Sequence, residues 1–330
     1  MSPPTTGAVQ AIEAPAPGSA AAAGTGASAA ANAPHLGLTA DRRSGGTLGL
    51  LGDYLELTKP KVQSLLLLTT IATMYVAGDP SLGLIALTCL GGYLSAGGAG
   101  AVNHWFDRDI DARMARTASR PIPSGRVRPG AALAFGCTLA ALSFLELSLT
   151  VNLLAATLAL AGFAGYVGVY TMWLKRRTVQ NIVIGGAAGA IPPLVGWAAV
   201  RGSLGGTAVL LFFIVFFWTP PHFWALSLLM KDEYARVGIP MLPAVRGEEE
   251  TRRQILIYTL LLYAVTQLPF CAGGLGAIYL AVSMALGLGF IFGAIRLYRR
   301  RDRRAALQLY LYSLAYLALL FCGMVADVHL

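Results

Sequence analysis

Apolar residues in this chain come in long runs rather than in alternation. From about residue 60 onward, stretches of about 20 mainly apolar residues recur, separated by short polar joints. A run of that length spans the hydrocarbon core of a bilayer as an α-helix. The two-residue alternation of a membrane β-barrel is absent. Nine spans are predicted, at about 61–78, 83–102, 130–147, 151–173, 181–200, 206–229, 254–273, 275–296 and 306–326. A shorter apolar stretch, Leu48–Leu57, reads as an interfacial helix leading into Lys59-Pro60-Lys61. Pro192-Pro193 in the fifth span and Pro220-Pro221 in the sixth are expected to kink or break their helices. Proline there frees backbone carbonyls, which is tolerated where a cavity is lined. The expected fold is an all-α polytopic membrane protein, about nine transmembrane helices around a central cavity open toward the cytoplasmic side. Gly162, Gly165, Gly168, Gly185 and Gly189 recur at helical spacing, and most of them are expected to form close packing surfaces.

The joints give the orientation. Those after the first, third, fifth and seventh spans are short and nearly free of charge. Those at 103–129, 174–180, 230–253 and 297–305 carry the basic residues. Every Lys and Arg except Arg201 falls on that side, the N-terminal stretch included. Such asymmetry places the N-terminus and the charged loops in the cytoplasm and the C-terminus outside. Composition agrees: 56% of residues are hydrophobic and 12% charged, against about a quarter charged in soluble domains. The net charge of +9 is thereby a matter of membrane topology and does not imply a nucleic-acid partner.

Residues 1–46 are rich in Ala, Gly and Pro without periodicity, and are expected to be a disordered tail ahead of one domain at 47–330. The tail has neither the charged start and apolar core of a signal peptide nor the arginines of a mitochondrial transit peptide. A bacterial inner membrane is the expected location. Cys89, Cys137, Cys271 and Cys322 stand singly in apolar segments, which suggests neither zinc nor disulfides. They are expected to be small core residues.

The longest charged run, NHWFDRDIDARMARTASRPIPSGR at 103–126, carries the candidate chemistry. Asn103, Asp107 and Asp111 are four residues apart, so on a helix they advance about 40° per step and share one face. Amide and carboxylate oxygens suit Mg²⁺, which keeps waters and takes substrate phosphates as further ligands. The arginines that follow, Arg113 and Arg120 among them, are what an anionic diphosphate needs. A bland reading stands beside this one: Asp109 and Arg113 are spaced as a surface ion pair, and loop charges serve topology alone. A second acidic pair, Asp232-Glu233, ends the sixth span on the same side. The two clusters are expected to face one another across a shared pocket, with Lys175 and Arg176 of the 174–180 joint adding cations.

Two histidines lie near this chemistry. His222 is an imidazole inside the sixth span, beside Pro220-Pro221 and among Phe216, Phe217, Trp218, Phe223 and Trp224. It is either a ligand for a haem iron or a side chain bonded to a carbonyl freed at the proline pair. His104, next to Asn103, is a substrate contact, a proton carrier or a solvated interfacial residue.

Four stretches carry a resemblance: LTKPKV at 57–62, the 103–126 run, the YT, LKR, QNI and IGG segments within 170–186, and PHFWAL with DEYAR and GIPMLP within 221–243. Together they resemble the UbiA-type intramembrane prenyltransferases, over roughly residues 50–325, and within that family its heme-modifying branch. The resemblance implies transfer of farnesyl from farnesyl diphosphate to a vinyl group of heme B, giving heme O for terminal oxidases. It implies Mg²⁺ as cofactor, heme B as substrate, and a downstream heme-modifying enzyme as a partner. Many relatives carry a second motif with two aspartates four apart; here Tyr234 stands four residues before Gly238, after Asp232 and Glu233. Asp232 is taken as the further metal ligand beside Asn103, Asp107 and Asp111. Arg113, Arg120, Lys175 and Arg176 are assigned to diphosphate, and His222 and His104 to heme. Three alternatives stay open: prenyl transfer to a quinone precursor, a secondary transporter with a midplane site, and a heme chaperone with no use for the Asp triplet.

Overall fold

The computed structural model describes residues 46–330, so all of the expected tail but Gly46 lies outside the described residues. Where the chain supplies a cap, a helix begins. Ser81 Oγ accepts from the Leu84 amide at 3.2 Å, Asn152 Oδ1 from Ala155 at 2.8 Å and Asp302 Oδ1 from Ala305 at 2.6 Å. Pro60 and Pro129 occupy first-turn positions, where the missing N–H costs nothing. The elements are α1 Thr47–Leu57, α2 Pro60–Ala77, α3 Leu82–Phe106, α4 Arg108–Asp111, α5 Pro129–Thr150 and α6 Leu153–Ala164. After the π-helical turns Gly165–Leu174 come α7 Asn181–Gly189, α8 Ile191–Arg201, α9 Gly206–Leu229, α10 Lys231–Arg236 and α11 Leu242–Val245. Three long helices close the chain: α12 Gly247–Cys271, α13 Ala277–Arg300 and α14 Arg303–His329.

Each predicted span corresponds to one of these helices or to a pair of them. Eight of the resulting segments are long and apolar enough to cross a membrane; α2, 18 residues opening on Pro60-Lys61 and Gln63, is the ninth and more polar one. The protein is an integral membrane protein. The fifth span breaks at Ala190, directly before Ile191-Pro192-Pro193, as expected of proline. The sixth does not break. Helix α9 runs unbroken through Pro220 and Pro221, and Thr219 Oγ1 bonds back to the Val215 carbonyl at 2.9 Å.

Helix α9 lies at the centre, packed against α7, α8, α12 and α14, while α2 lies against α8 and α14. The main core joins α9 and α12–α14 around Trp218, Phe290, Tyr316 and Phe321. A smaller one joins Met74, Leu147 and Val195. Large apolar side chains such as Phe292 and Leu149 face outward, the normal arrangement where lipid is the solvent.

One expectation is corrected. Cys137, Cys271 and Cys322 are exposed on the outer surface and Cys89 is only partly covered; in lipid an apolar side chain gains little by moving inside. Most of the glycines singled out do pack: a Cβ would meet Ile191 at 3.3 Å on Gly162, Ala188 at 3.6 Å on Gly165 and Tyr170 at 2.4 Å on Gly185, while Gly168 and Gly189 face open space. Another close approach joins α3 and α5: a Cβ on Gly98 would lie 2.6 Å from the Gly136 carbonyl oxygen. That contact is backbone on backbone and cannot relax by a rotamer change.

Gly98→Ala is therefore expected to lower stability by about 1–3 kcal/mol through overpacking, and Gly189→Ala by no more than a few tenths. Thermal unfolding of the purified variants in detergent measures both.

Candidate active site

The site forms where α3 ends. Helix α3 stops at Phe106 and α4 resumes at Arg108, yet the Asp111 amide still bonds the Asp107 carbonyl at 2.8 Å. Asn103, Asp107 and Asp111 therefore follow helical spacing across the joint, as the sequence implied. All three are buried, Asp107 at 1% exposure. A carboxylate so placed needs partners, and three other elements supply them. Lys175 Nζ pairs with Asp107 Oδ2. Arg120 Nη1 bonds Asp111 Oδ2 at 2.7 Å. Lys59 Nζ donates to Asn103 Oδ1 at 2.6 Å, and the Asn103 amide donates to Asp107 Oδ2 at 2.7 Å and to Thr171 Oγ1 at 3.2 Å. Each oxygen-bearing side chain of the triplet thus holds its own cation.

Local backbone chemistry puts the cations there. Lys59 precedes Pro60, which disfavours the right-handed helical region for it; it adopts φ 54°, ψ 56°, costly for a side-chain-bearing residue. Desolvation, with repulsion from Arg120 and Lys175, pushes its ammonium down to about 7. Lys175 and Thr171 are delivered by the π-helical turns, in which the Lys175 amide bonds the Tyr170 carbonyl five residues back at 2.9 Å.

The other expected residues separate. Arg176 sits at the edge: it grips Asp109 at 2.7 and 2.9 Å, stacks its guanidinium 4.7 Å from the Phe106 ring, and lies 3.5 Å from Asp107 Oδ1. That grip holds the Asp109 carboxyl below its ordinary value. Arg113 is exposed, and its Nε donates to the Asp109 backbone carbonyl at 3.2 Å; it is no part of the cluster. Asp232 lines a separate pocket of about 240 Å³ with Lys231, Glu248 and Arg252, so the two acidic clusters do not share one pocket. Its neighbour Tyr234 turns the other way: burial raises its phenol, while Arg116, Lys175 and Arg120 act against the shift. His104 is buried at 2% exposure with both ring nitrogens unpartnered, so the solvated-interface reading is overturned. His222 bonds no freed carbonyl. Its Nδ1 meets Ser313 Oγ at 2.7 Å, and its ring lies between Trp218 and Tyr310, at centroid distances of 4.3 and 4.9 Å.

Sequence reasoning missed Lys59 and Thr171. The signal for Lys59 was a cation placed directly before a proline at the start of a span. Thr171 stood in the YT segment of the resemblance but drew no role from it, because π-helical register leaves no periodic trace. Among the described residues no three His, Cys, Asp or Glu side chains group to hold a metal. The donor chemistry still fits a hard divalent cation. Asp107 Oδ1 is buried without a hydrogen-bond donor, and the amide and carboxylate oxygens beside it are of the kind Mg²⁺ takes.

The model of the UbiA prenyltransferase family matches residues 66–320. The chain belongs to that family. It is 56% identical over 284 residues to the protoheme IX farnesyltransferase of Roseiflexus sp. (strain RS-1), covering 86% of this chain and 53% of that protein. It is 53% identical over 292 residues to the protoheme IX farnesyltransferase of Symbiobacterium thermophilum, covering 87% of this chain and 97% of that protein. The chain thus spans about half the length of the Roseiflexus relative and nearly all of the Symbiobacterium one. Solved structures share the UbiA fold. A digeranylgeranylglyceryl phosphate synthase superposes with a TM-score of 0.71 at 18% identity, covering 84% of this chain and 98% of that one. A UbiA homolog from Archaeoglobus fulgidus bound to DMAPP and Mg²⁺ gives 0.63 at 16% identity, covering 82% and 99%.

If the cluster serves the family's prenyl diphosphates, Lys59→Met and Lys175→Met each weaken their binding about tenfold or more, since a charged hydrogen bond contributes about 1.5–3 kcal/mol. Arg113→Gln, a surface change, stays within about twofold. Calorimetric titration of the purified variants distinguishes the two classes.

Proposed function

We propose that this chain transfers a farnesyl group from farnesyl diphosphate to a vinyl group of heme B, giving heme O. The observation that carries the reading is the pairing of Asn103, Asp107 and Asp111 with Lys59, Lys175 and Arg120 in a buried site. Each oxygen there is one a metal would take, and each cation is one a diphosphate would take. Arrival of the metal and diphosphate together exchanges one set of partners for another and leaves no buried charge alone. Heme B as acceptor is supported by the named relatives, at 53–56% identity.

Asn103, Asp107 and Asp111 would hold Mg²⁺, which when bound supplies Lewis-acid stabilisation to the leaving diphosphate. Asp232 is left out of this set because it lines the other pocket. The C1–O bond of the donor breaks with its electron pair going to diphosphate, whose charge Lys59, Lys175 and Arg120 hold, with Arg176 at the rim. The vinyl terminal carbon bonds farnesyl C1, and the cation left beside the porphyrin takes water and releases a proton. His222 we assign to the heme iron, held in orientation by Ser313 and the rings of Trp218 and Tyr310. His104, beside Asn103 with no partner on either nitrogen, we keep as a heme contact. The location we infer is a bacterial cytoplasmic membrane, with the N-terminus and charged loops inside and the C-terminus outside. The chain then divides into a tail at 1–46 and a catalytic domain at 47–330, and it passes heme O to a heme-modifying enzyme.

Purified protein given heme B, farnesyl diphosphate and Mg²⁺ is expected to yield a product heavier by farnesyl plus water in mass spectrometry, and none with EDTA. Release of diphosphate with unmodified heme would make the acceptor wrong. Asp107→Asn is expected to cut turnover about 100-fold or more while heme binding, followed by Soret absorbance, survives. Normal turnover in that variant would remove the metal-site assignment.

A further inference from the structure

The pocket that holds Asp232 is built to take an anion. Four cations line it, Lys231, Arg252, Arg301 and Arg303, against the carboxylates of Asp232, Glu248 and Asp302. Those acids are partly engaged. Glu248 takes Lys231 and Arg252, and Asp302 caps α14 at 2.6 Å. Arg301 leans on exposed Glu249 at 3.5 Å, a contact worth little in water. Arg303 gives one N–H to the Leu229 carbonyl at 3.0 Å. Arg252 is 8% exposed, and its Nε is buried without a hydrogen-bond partner, a state proteins rarely leave unused.

The pocket is also in register with His222. Leu229 lies seven residues after His222 on α9, Arg303 seven before Tyr310 on α14, and Ala306 seven before Ser313. Seven residues are two helical turns, so each pair shares a face and is separated by about 10 Å along the helix. The α9–α14 seam that holds the imidazole thus runs directly to the pocket, whose lower rim is apolar: Leu228, Leu229, Leu297 and Ala306. A separation of this order is what divides the centre of a porphyrin from its carboxylate ends. Short helix α10 brings Lys231 and Asp232 into the pocket lining.

We propose that this pocket binds the two carboxylates of the acceptor, with Arg301, Arg303 and Arg252 as their donors, while the porphyrin lies along the α9–α14 seam. The assignment rests on the acceptor reading above and deepens it. The carboxylate edge sits at the membrane surface and the apolar ring below it, so the pocket fixes which edge of the ring faces the donor site.

The test uses full-length protein in nanodiscs of zwitterionic lipid. It compares heme B with its dimethyl ester in wild type and in the Arg301→Gln/Arg303→Gln double variant. Both arginines are exposed or partly so, which keeps the fold intact. The double variant is expected to raise the KM for heme B about tenfold or more and to leave the KM for farnesyl diphosphate unchanged. The ester is expected to bind wild type weakly and to be indifferent to the substitutions. Equal binding of ester and acid by a wild type that makes heme O overturns the pocket and leaves the acceptor reading standing. So does an unchanged KM for heme B in the double variant, and so does a change that appears only when anionic lipid is added, which gives the pocket to headgroups. A wild type that binds no heme B overturns the acceptor reading, and this proposal with it.

Discussion

Everything at this end of the helices hangs on the need to neutralise two carboxylates at the end of an apolar helix. Asp107 and Asp111 are almost fully buried, and an unpaired charge there costs several kcal/mol. Arg120 from the loop after α4 pairs with Asp111 and Lys175 from the end of the π-helical turns with Asp107, while Lys59 from the turn before α2 holds Asn103, which itself donates to Asp107. One electrostatic requirement therefore joins segments far apart in sequence. A buried ion pair is weak evidence for stability, because well-packed apolar residues often do as well. A set of pairs whose two halves match a metal and a diphosphate has a better explanation in function.

Strain is stored at the same place. Lys59 occupies a left-handed conformation, and ten residues follow π-helical geometry just where Thr171 and Lys175 must reach Asn103 and Asp107. Both irregularities cost energy relative to a regular helix, and both aim a side chain at the cluster. The proline pair of α9 does something different: the helix stays continuous and carries His222 between two aromatic rings against α14. Rigid neighbours on both ring faces leave the imidazole one orientation.

Charged residues of similar sequence character met different fates. Arg113 and Arg120 both follow the Asp triplet, yet Arg120 pairs with Asp111 while Arg113 folds back on the Asp109 carbonyl. Asp232 and Tyr234 are two residues apart on a six-residue helix and serve opposite sides. On a helix, positions i and i+2 do not share a face, so one short element can serve two polar sites.

Sequence alone determined the helical spans, their alternating charge and the shared face of Asn103, Asp107 and Asp111. Those properties are local or periodic: a bilayer demands about 20 apolar residues per span, and a helix repeats every 3.6. It also marked the break before Pro192-Pro193, since proline acts on its own turn. What only the tertiary structure decided was which cation meets which carboxylate, that His104 is sealed, that His222 answers to Ser313, and that Asp232 leaves the Asp107 cluster. Those outcomes depend on how distant helices pack and on a register shift to π geometry, neither of which leaves a period in the chain.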